Sequence, residues 1–135
     1  MRASSLSFRI AVLCAIAGMI MGIAMAASQN HSVMPAHAHL NLLGWVSLFL
    51  FGIYYKLHPA IDVGRLAPLQ VGVWTAGTVV VTIGVTMFYL GHQIGDPIAA
   101  VGSIIVLAAM ILFAVLVFRP VPAERGAAAQ VMPAE

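Results

Sequence analysis

The sequence contains HLNLLGWVSLFLFGIYYKL at residues 39–57, an apolar run close to the about 20 residues that cross a ~30 Å hydrocarbon core as a helix. Runs of similar length cover residues 8–27, 69–90 and 98–118. Hydrophobic residues make up 62% of the 135-residue chain and charged residues 7%. An ordinary soluble domain has roughly 25% charged residues. The sequence therefore predicts an all-α integral membrane protein.

Short connections between the runs predict an up-down bundle of four transmembrane helices in which neighbours are antiparallel. The expected four-helix domain covers residues 1–120. Residues 121–135 are rich in Ala, Pro and polar residues and are expected to form a disordered cytoplasmic tail. The helices are expected at about residues 8–27, 36–57, 69–92 and 97–118.

All six Lys and Arg residues lie at one end of the expected helices. Lys and Arg near helix ends are retained on the cytoplasmic side. Both termini are therefore expected in the cytoplasm, and the loops at residues 28–38 and 91–97 in the periplasm of a bacterium whose inner membrane holds the chain. The net charge of +2 reflects this anchoring and indicates no nucleic-acid partner. The basic residues are Arg2, Arg9, Lys56, Arg65, Arg119 and Arg125.

The first helix has an alternative interpretation. Arg2 and Arg9, followed by an apolar run and Ala24-Met25-Ala26, also fit a secretory signal with a small-residue cleavage site. The run exceeds the ~7–15 residues of a signal core, and small residues recur along it at helix-packing spacing. We expect a retained helix, with cleavage as the alternative. The lone Cys14 excludes an intramolecular disulfide and is expected to be a packing residue.

His37 and His39 are expected on nearly opposite faces of the second helix, because two residues correspond to about 200° of rotation. Pro35 suits the first turn of that helix, so both histidines are helical. His37 shares a small and polar face with Asn41 and Gly44, whereas His39 lies over bulky apolar residues. A shared chelate is therefore disfavoured. Gly44 suits a neighbouring helix or a flat cofactor, and helix packing is the commoner reason for such a glycine.

Four of the five histidines are expected at the outer edge of the bundle, and His58 at the opposite edge. Polar side chains inside a membrane are costly when unsatisfied and are usually functional or paired. His39 and His92 are expected at comparable depth on helices of opposite direction, which allows two imidazoles to bind one iron from opposite sides. No Cys-x-x-Cys-His motif is present, so a haem would lack thioether links. The outer histidines are His31, His37, His39 and His92.

The stretch His39-Leu40-Asn41-Leu42-Leu43-Gly44-Trp45, continuing to Tyr54-Tyr55 and Pro59, resembles the second transmembrane helix of subunit I in heme-copper oxidases, most closely the nitric oxide reductase branch. In that family the helix begins on the outer side with a histidine that binds the low-spin haem. The resemblance therefore implies that His39 is an axial haem ligand. It covers one of the expected helices. The family's further catalytic histidines have no counterpart here, so the resemblance does not imply reduction of oxygen or nitric oxide.

The first functional hypothesis is a haem b protein with a role in electron transfer, haem handling or gas sensing. His39 is expected to be one axial ligand and His92 the second. His37 and Asn41 are then expected to donate hydrogen bonds near the haem and Gly44 to leave room for it; the alternative is that His37 replaces His39 as ligand. The expected partners are membrane lipid and either a second copy of the chain or a respiratory complex.

The second hypothesis is an outward-facing copper or zinc site that delivers metal to a respiratory enzyme, since thioether and imidazole together suit copper. The third is a cofactor-free assembly or accessory subunit, for which the small-residue packing faces would suffice. The candidate ligands of the second hypothesis are Met34, His37, His39, His31 and His92.

Overall fold

The computed structural model describes residues 1–119, so the expected tail at residues 121–135 lies outside the described part. Four helices there are long and apolar enough to span a membrane, and residues 1–119 contain no strand. The prediction of an all-α bundle with four spanning helices is confirmed. The spanning helices are α1 (Ala3–Ser28), α2 (Met34–Leu57), α4 (Leu66–Tyr89) and α5 (Gly95–Phe118), and a short helix, α3 (Pro59–Asp62), lies between α2 and α4.

The connection between α4 and α5 differs from the expected one. α4 ends at Tyr89 rather than near residue 92. Gly91 has a φ of 90°, a left-handed conformation that glycine adopts without steric cost and that ends the helix. His92 therefore lies in an exposed turn and not on a helical face.

α1 and α2 pack along the face of α2 that carries its glycines. A Cβ added at Gly44 would lie 2.8 Å from Cys14 Sγ, and one added at Gly52 would lie 2.7 Å from the Phe8 ring. Both distances are shorter than an ordinary contact, so a larger residue would have to displace the Cys14 or Phe8 side chain or move the helices apart. Close helix packing therefore explains both glycines.

α4 and α5 approach each other even more closely, through glycines on both helices. A Cβ added at Gly84 would lie 2.7 Å from the Cα of Ala99, and one added at Gly102 would lie 2.7 Å from the Cα of Val81. Here backbone lies against backbone. In a membrane this dispersion contact is a main source of helix association, since burial from lipid adds little hydrophobic driving force.

A buried hydrogen-bonded chain joins α2, α4 and α5. The Tyr55 hydroxyl donates to Gln70 Oε1 at 2.8 Å, and Gln70 Nε2 donates to the Ala109 carbonyl at 3.4 Å. Tyr55 and Gln70 have no exposed surface. Because these polar atoms find partners within the bundle, the apolar core tolerates them.

Asp62 of α3 holds the start of α1. The backbone N–H and the hydroxyl of Ser4 both donate to the Asp62 carboxylate, at 2.7 and 2.8 Å. The first N–H groups of a helix lack partners within the helix, and a carboxylate can accept hydrogen bonds from them. Its negative charge also interacts favourably with the positive potential at the start of the helix. This contact explains why α1 begins at Ala3, before its expected start near residue 8.

Candidate functional site

The charged and polar residues are divided between the two ends of the bundle. We define the histidine end as the end with the α1–α2 and α4–α5 connections, and the basic end as the opposite one. The basic end contains Arg2, Arg9, Lys56, His58, Arg65 and Arg119, and the histidine end contains His31, His37, His39 and His92. This matches the segregation expected from the sequence.

His39 is half-buried, and one of its ring nitrogens is already occupied. His39 Nδ1 lies 2.7 Å from the Pro35 carbonyl oxygen and donates to it, which leaves Nε2 with a free lone pair. Pro35 lies in the first turn of α2, as predicted. Metal-binding histidines commonly donate their second nitrogen to a backbone carbonyl, which fixes the tautomer and the ring orientation. The His39 ring therefore has the tautomer of a metal ligand.

The apolar stripe below His39 faces away from the bundle. Leu42 is 60% exposed and Leu50 58%, and Val46 and Ile53 are also exposed. In a spanning helix these side chains contact lipid or another protein. His39 therefore lies at the head of an outward-facing apolar stripe and not over an interior cavity.

His37 and Asn41 lie on the opposite face of α2, against α1. The Asn41 side-chain amide donates to the His37 carbonyl at 2.9 Å. A Cβ added at Gly18 would lie 2.5 Å from Asn41 Oδ1, and one added at Gly22 would lie 3.3 Å from the His37 ring. The glycines of α1 thus make room for these polar side chains, and this face is filled by helix packing.

Residues Leu40–Ser47 of α2 form a π-helix that begins directly after His39. Side chains support its carbonyl groups: Ser47 Oγ donates to Leu42 O at 2.7 Å, and the indole N–H of Trp74 donates to Leu43 O at 2.9 Å. π-helical turns are rare and occur frequently at functional sites. Sequence analysis missed this segment, because a hydrophobic pattern of period 3.6 carries no signal for a wider turn.

Replacing Trp74 with phenylalanine is expected to lower the free energy of unfolding by about 1–3 kcal/mol, because it leaves the Leu43 carbonyl without this donor and removes volume from a buried site. Trp74 is 2% exposed and donates to Leu43 O at 2.9 Å. Trp45, which is 45% exposed, supplies the control. Trp45→Phe should change stability by less than about 0.5 kcal/mol. Titration of detergent-solubilised protein with a denaturing detergent measures the free energy of unfolding of both variants. Equal losses would contradict a stabilising role for the hydrogen bond from Trp74 to Leu43.

The remaining candidate ligands are dispersed over the histidine end. His31 and His92 are exposed, and Met34 is 58% exposed. Within residues 1–119, no three side chains among His, Cys, Asp and Glu form a group that could hold a metal ion. At the histidine end, His39 is the histidine whose ring contacts a backbone carbonyl oxygen, and no group of three such side chains forms around it within residues 1–119.

Comparison with known proteins adds no further constraint. No protein-family model matches the chain, and no curated protein or solved structure matches it either. The functional argument therefore depends on the residues and contacts of this chain itself.

Proposed function

We propose that this chain binds haem b, with Nε2 of His39 as one axial ligand, on the outward-facing side of α2. The observation that supports this most directly is the 2.7 Å contact between His39 Nδ1 and the Pro35 carbonyl, which leaves Nε2 available. Neutral imidazole is the usual axial ligand of haem iron. The resemblance of residues 39–45 to the haem-binding helix of oxidase subunit I implies the same residue.

The fit of a macrocycle differs between the two faces of α2. The face with His37, Asn41 and Gly44, which sequence analysis placed around the haem, contacts α1, and the space beside Gly44 is taken by Cys14. The face with His39 continues into exposed apolar side chains without charge. This stripe with an imidazole at one end would supply one apolar wall for a haem, and a second copy of the chain or another protein would complete the concave pocket that such a group needs.

Haem supplies one-electron redox chemistry or gas binding when it is present. The chain's contribution is to orient the His39 ring through Pro35 and to cover one apolar surface of the group. In this proposal a second iron ligand would come from His92 or from an imidazole of a second copy. Electron transfer, haem handling and gas sensing are the roles that such a site supports, in a bacterial inner membrane with the histidine end toward the periplasm, the orientation favoured by the Lys and Arg distribution.

Absorption spectroscopy tests the proposal. Protein purified from cells supplied with a haem precursor should show a Soret band and α and β bands that sharpen on reduction. His39→Ala should abolish most of this absorption, since it removes the ligand. His92→Ala should convert the spectrum to a high-spin form if His92 is the second ligand.

His58→Ala is the matched control. His58 Nδ1 lies 2.7 Å from the Tyr54 carbonyl, the same arrangement as in His39, but at the basic end. This variant should retain the full spectrum. Colourless wild-type protein, or a His39→Ala variant with an unchanged spectrum, would contradict haem binding at His39.

A cofactor-free assembly or accessory subunit is the second candidate. It is favoured by the close packing of α4 on α5, which involves residues with no role in ligand binding. Protein that binds neither haem nor copper would support it. Colourless protein that binds stoichiometric copper would instead favour metal delivery by Met34 and the outer histidines.

A further inference from the structure

Among the cations of the basic end, Arg9 lies within α1, nearly two turns from the start of that helix. Its neighbour Phe8 packs at the level of Gly52 of α2, whereas Lys56 lies one turn further toward the basic end. With a rise of about 1.5 Å per residue, Arg9 is roughly 6–8 Å deeper than Lys56. An ionised side chain at such a depth is costly unless it is paired or its head group reaches the interface.

Neither of the two acidic residues among residues 1–119 neutralises the charge of Arg9. Asp62 at the basic end is 3% exposed, and both of its oxygens accept from Ser4. Asp96 lies at the histidine end. Among residues 1–119, no Lys or Arg forms an ion pair with a carboxylate. The Arg9 side chain is exposed on the outside of the bundle, where a group from the surroundings can reach it.

A shallow groove lies beside Arg9 on the outer surface of α1. Its lining is Phe8, Arg9, Val12 and Leu13. Val12 is 50% exposed and Leu13 65%. Because α1 runs from the basic end toward the histidine end, Phe8 and Arg9 lie at the outer part of the groove, and Val12 and Leu13 lie deeper. This order of charge and apolar surface matches that of a phospholipid.

We propose that Arg9 and this groove bind one anionic phospholipid, with the guanidinium on the lipid phosphate and an acyl chain against Val12 and Leu13. Guanidinium presents parallel N–H donors that match phosphate oxygens, which makes arginine better suited than lysine at such a site. An anionic head group is preferred over a zwitterionic one because the exposed Arg9 carries a full positive charge, which the choline of a zwitterionic head group would repel. This site is independent of His39 and of haem.

Lipid retention measured by native mass spectrometry tests the site. Full-length protein is reconstituted in vesicles of equimolar phosphatidylglycerol and phosphatidylcholine, extracted in mild detergent, and the bound lipids are counted. Wild type should retain one phosphatidylglycerol in preference to phosphatidylcholine by about fivefold, the factor expected for one basic residue near an anionic surface. Arg9→Gln should lose this preference. Arg9→Lys should retain part of this preference, because lysine keeps the positive charge but lacks the parallel N–H donors of the guanidinium group.

Arg65→Gln is the matched control, since Arg65 is an exposed cation at the same end but outside the groove. This variant should bind phosphatidylglycerol as wild type does. Leu13→Ser should weaken retention without changing net charge, because it removes part of the acyl-chain surface. Unchanged retention in Arg9→Gln, an equal loss in Arg65→Gln, or equal retention of both lipids by wild type would overturn the proposal. Circular dichroism confirms that each variant is folded.

Discussion

Replacing Gly84 with alanine is expected to force α4 and α5 apart. The added Cβ would lie 2.7 Å from the Cα of Ala99 and 2.9 Å from the Gly95 carbonyl oxygen. These are backbone atoms, which cannot rotate away as a flexible side chain can. Overpacking of a well-packed interface costs about 1–3 kcal/mol and sometimes more. We expect a loss of at least this size in the free energy of unfolding, measured by titration with a denaturing detergent.

Gly72 provides an unusually direct control, since it lies on the same helix and a Cβ there would meet nothing within 4 Å. Gly72→Ala should leave stability unchanged or raise it by up to about 1 kcal/mol, through higher helix propensity. A fluorescence energy-transfer pair placed on α4 and α5 would report separation of the helices directly. If Gly84→Ala behaved like Gly72→Ala in both measurements, the close contact of the two backbones would be refuted.

Replacing Asp62 with alanine is expected to release the first turn of α1. The carboxylate accepts from the backbone N–H and the hydroxyl of Ser4 at 2.7 and 2.8 Å, in a site where Asp62 is 3% exposed. Its removal leaves a buried N–H without a partner, which costs about 1–3 kcal/mol. Hydrogen exchange should therefore quicken at the amides that begin α1 and stay unchanged in α4 and α5. Asp62→Asn should lose less, because an amide oxygen can still accept one hydrogen bond.

Asp96 is the control acid for this experiment. It lies in the first turn of α5, is exposed, and the start of that helix has no side-chain cap hydrogen bond. Asp96→Asn should change stability by no more than about 0.5 kcal/mol. Equal effects of the two substitutions, or slow exchange at the start of α1 in Asp62→Ala, would show that the Ser4 contact does not hold α1.

Hydropathy predicted the four spanning helices because each must cover the hydrocarbon core and satisfy its own backbone hydrogen bonds. The helix ends were predicted less well. α1 begins earlier than expected because Asp62, which is distant in sequence, satisfies Ser4. α4 ends earlier because of the positive φ at Gly91, which moves His92 into a turn. Neither effect is a property of local hydrophobicity.

Part of the geometry around the histidines of α2 was predicted. Helical rotation correctly separated His37 from His39, since the angle between neighbouring side chains is a constant of the helix. Which face meets another helix was left open. The structure places α1 against His37 and Asn41, and leaves the stripe of His39 and Leu42 exposed. The π-helix at Leu40–Ser47 had no sequence signal, since its carbonyls find side-chain partners such as Trp74 from another helix.

By itself, the sequence determined how many helices span the membrane, which ends carry the histidines and the basic residues, and that His37 and His39 diverge. These three properties follow from the composition along the chain and from helix geometry, which depend only on residues that are close in sequence. Only the tertiary structure decided that Gly44 accommodates Cys14 of α1, that Asp62 holds Ser4, and that His39 heads an exposed stripe. These depend on how each helix is rotated against its neighbours, and that rotation is set by contacts between residues far apart in sequence.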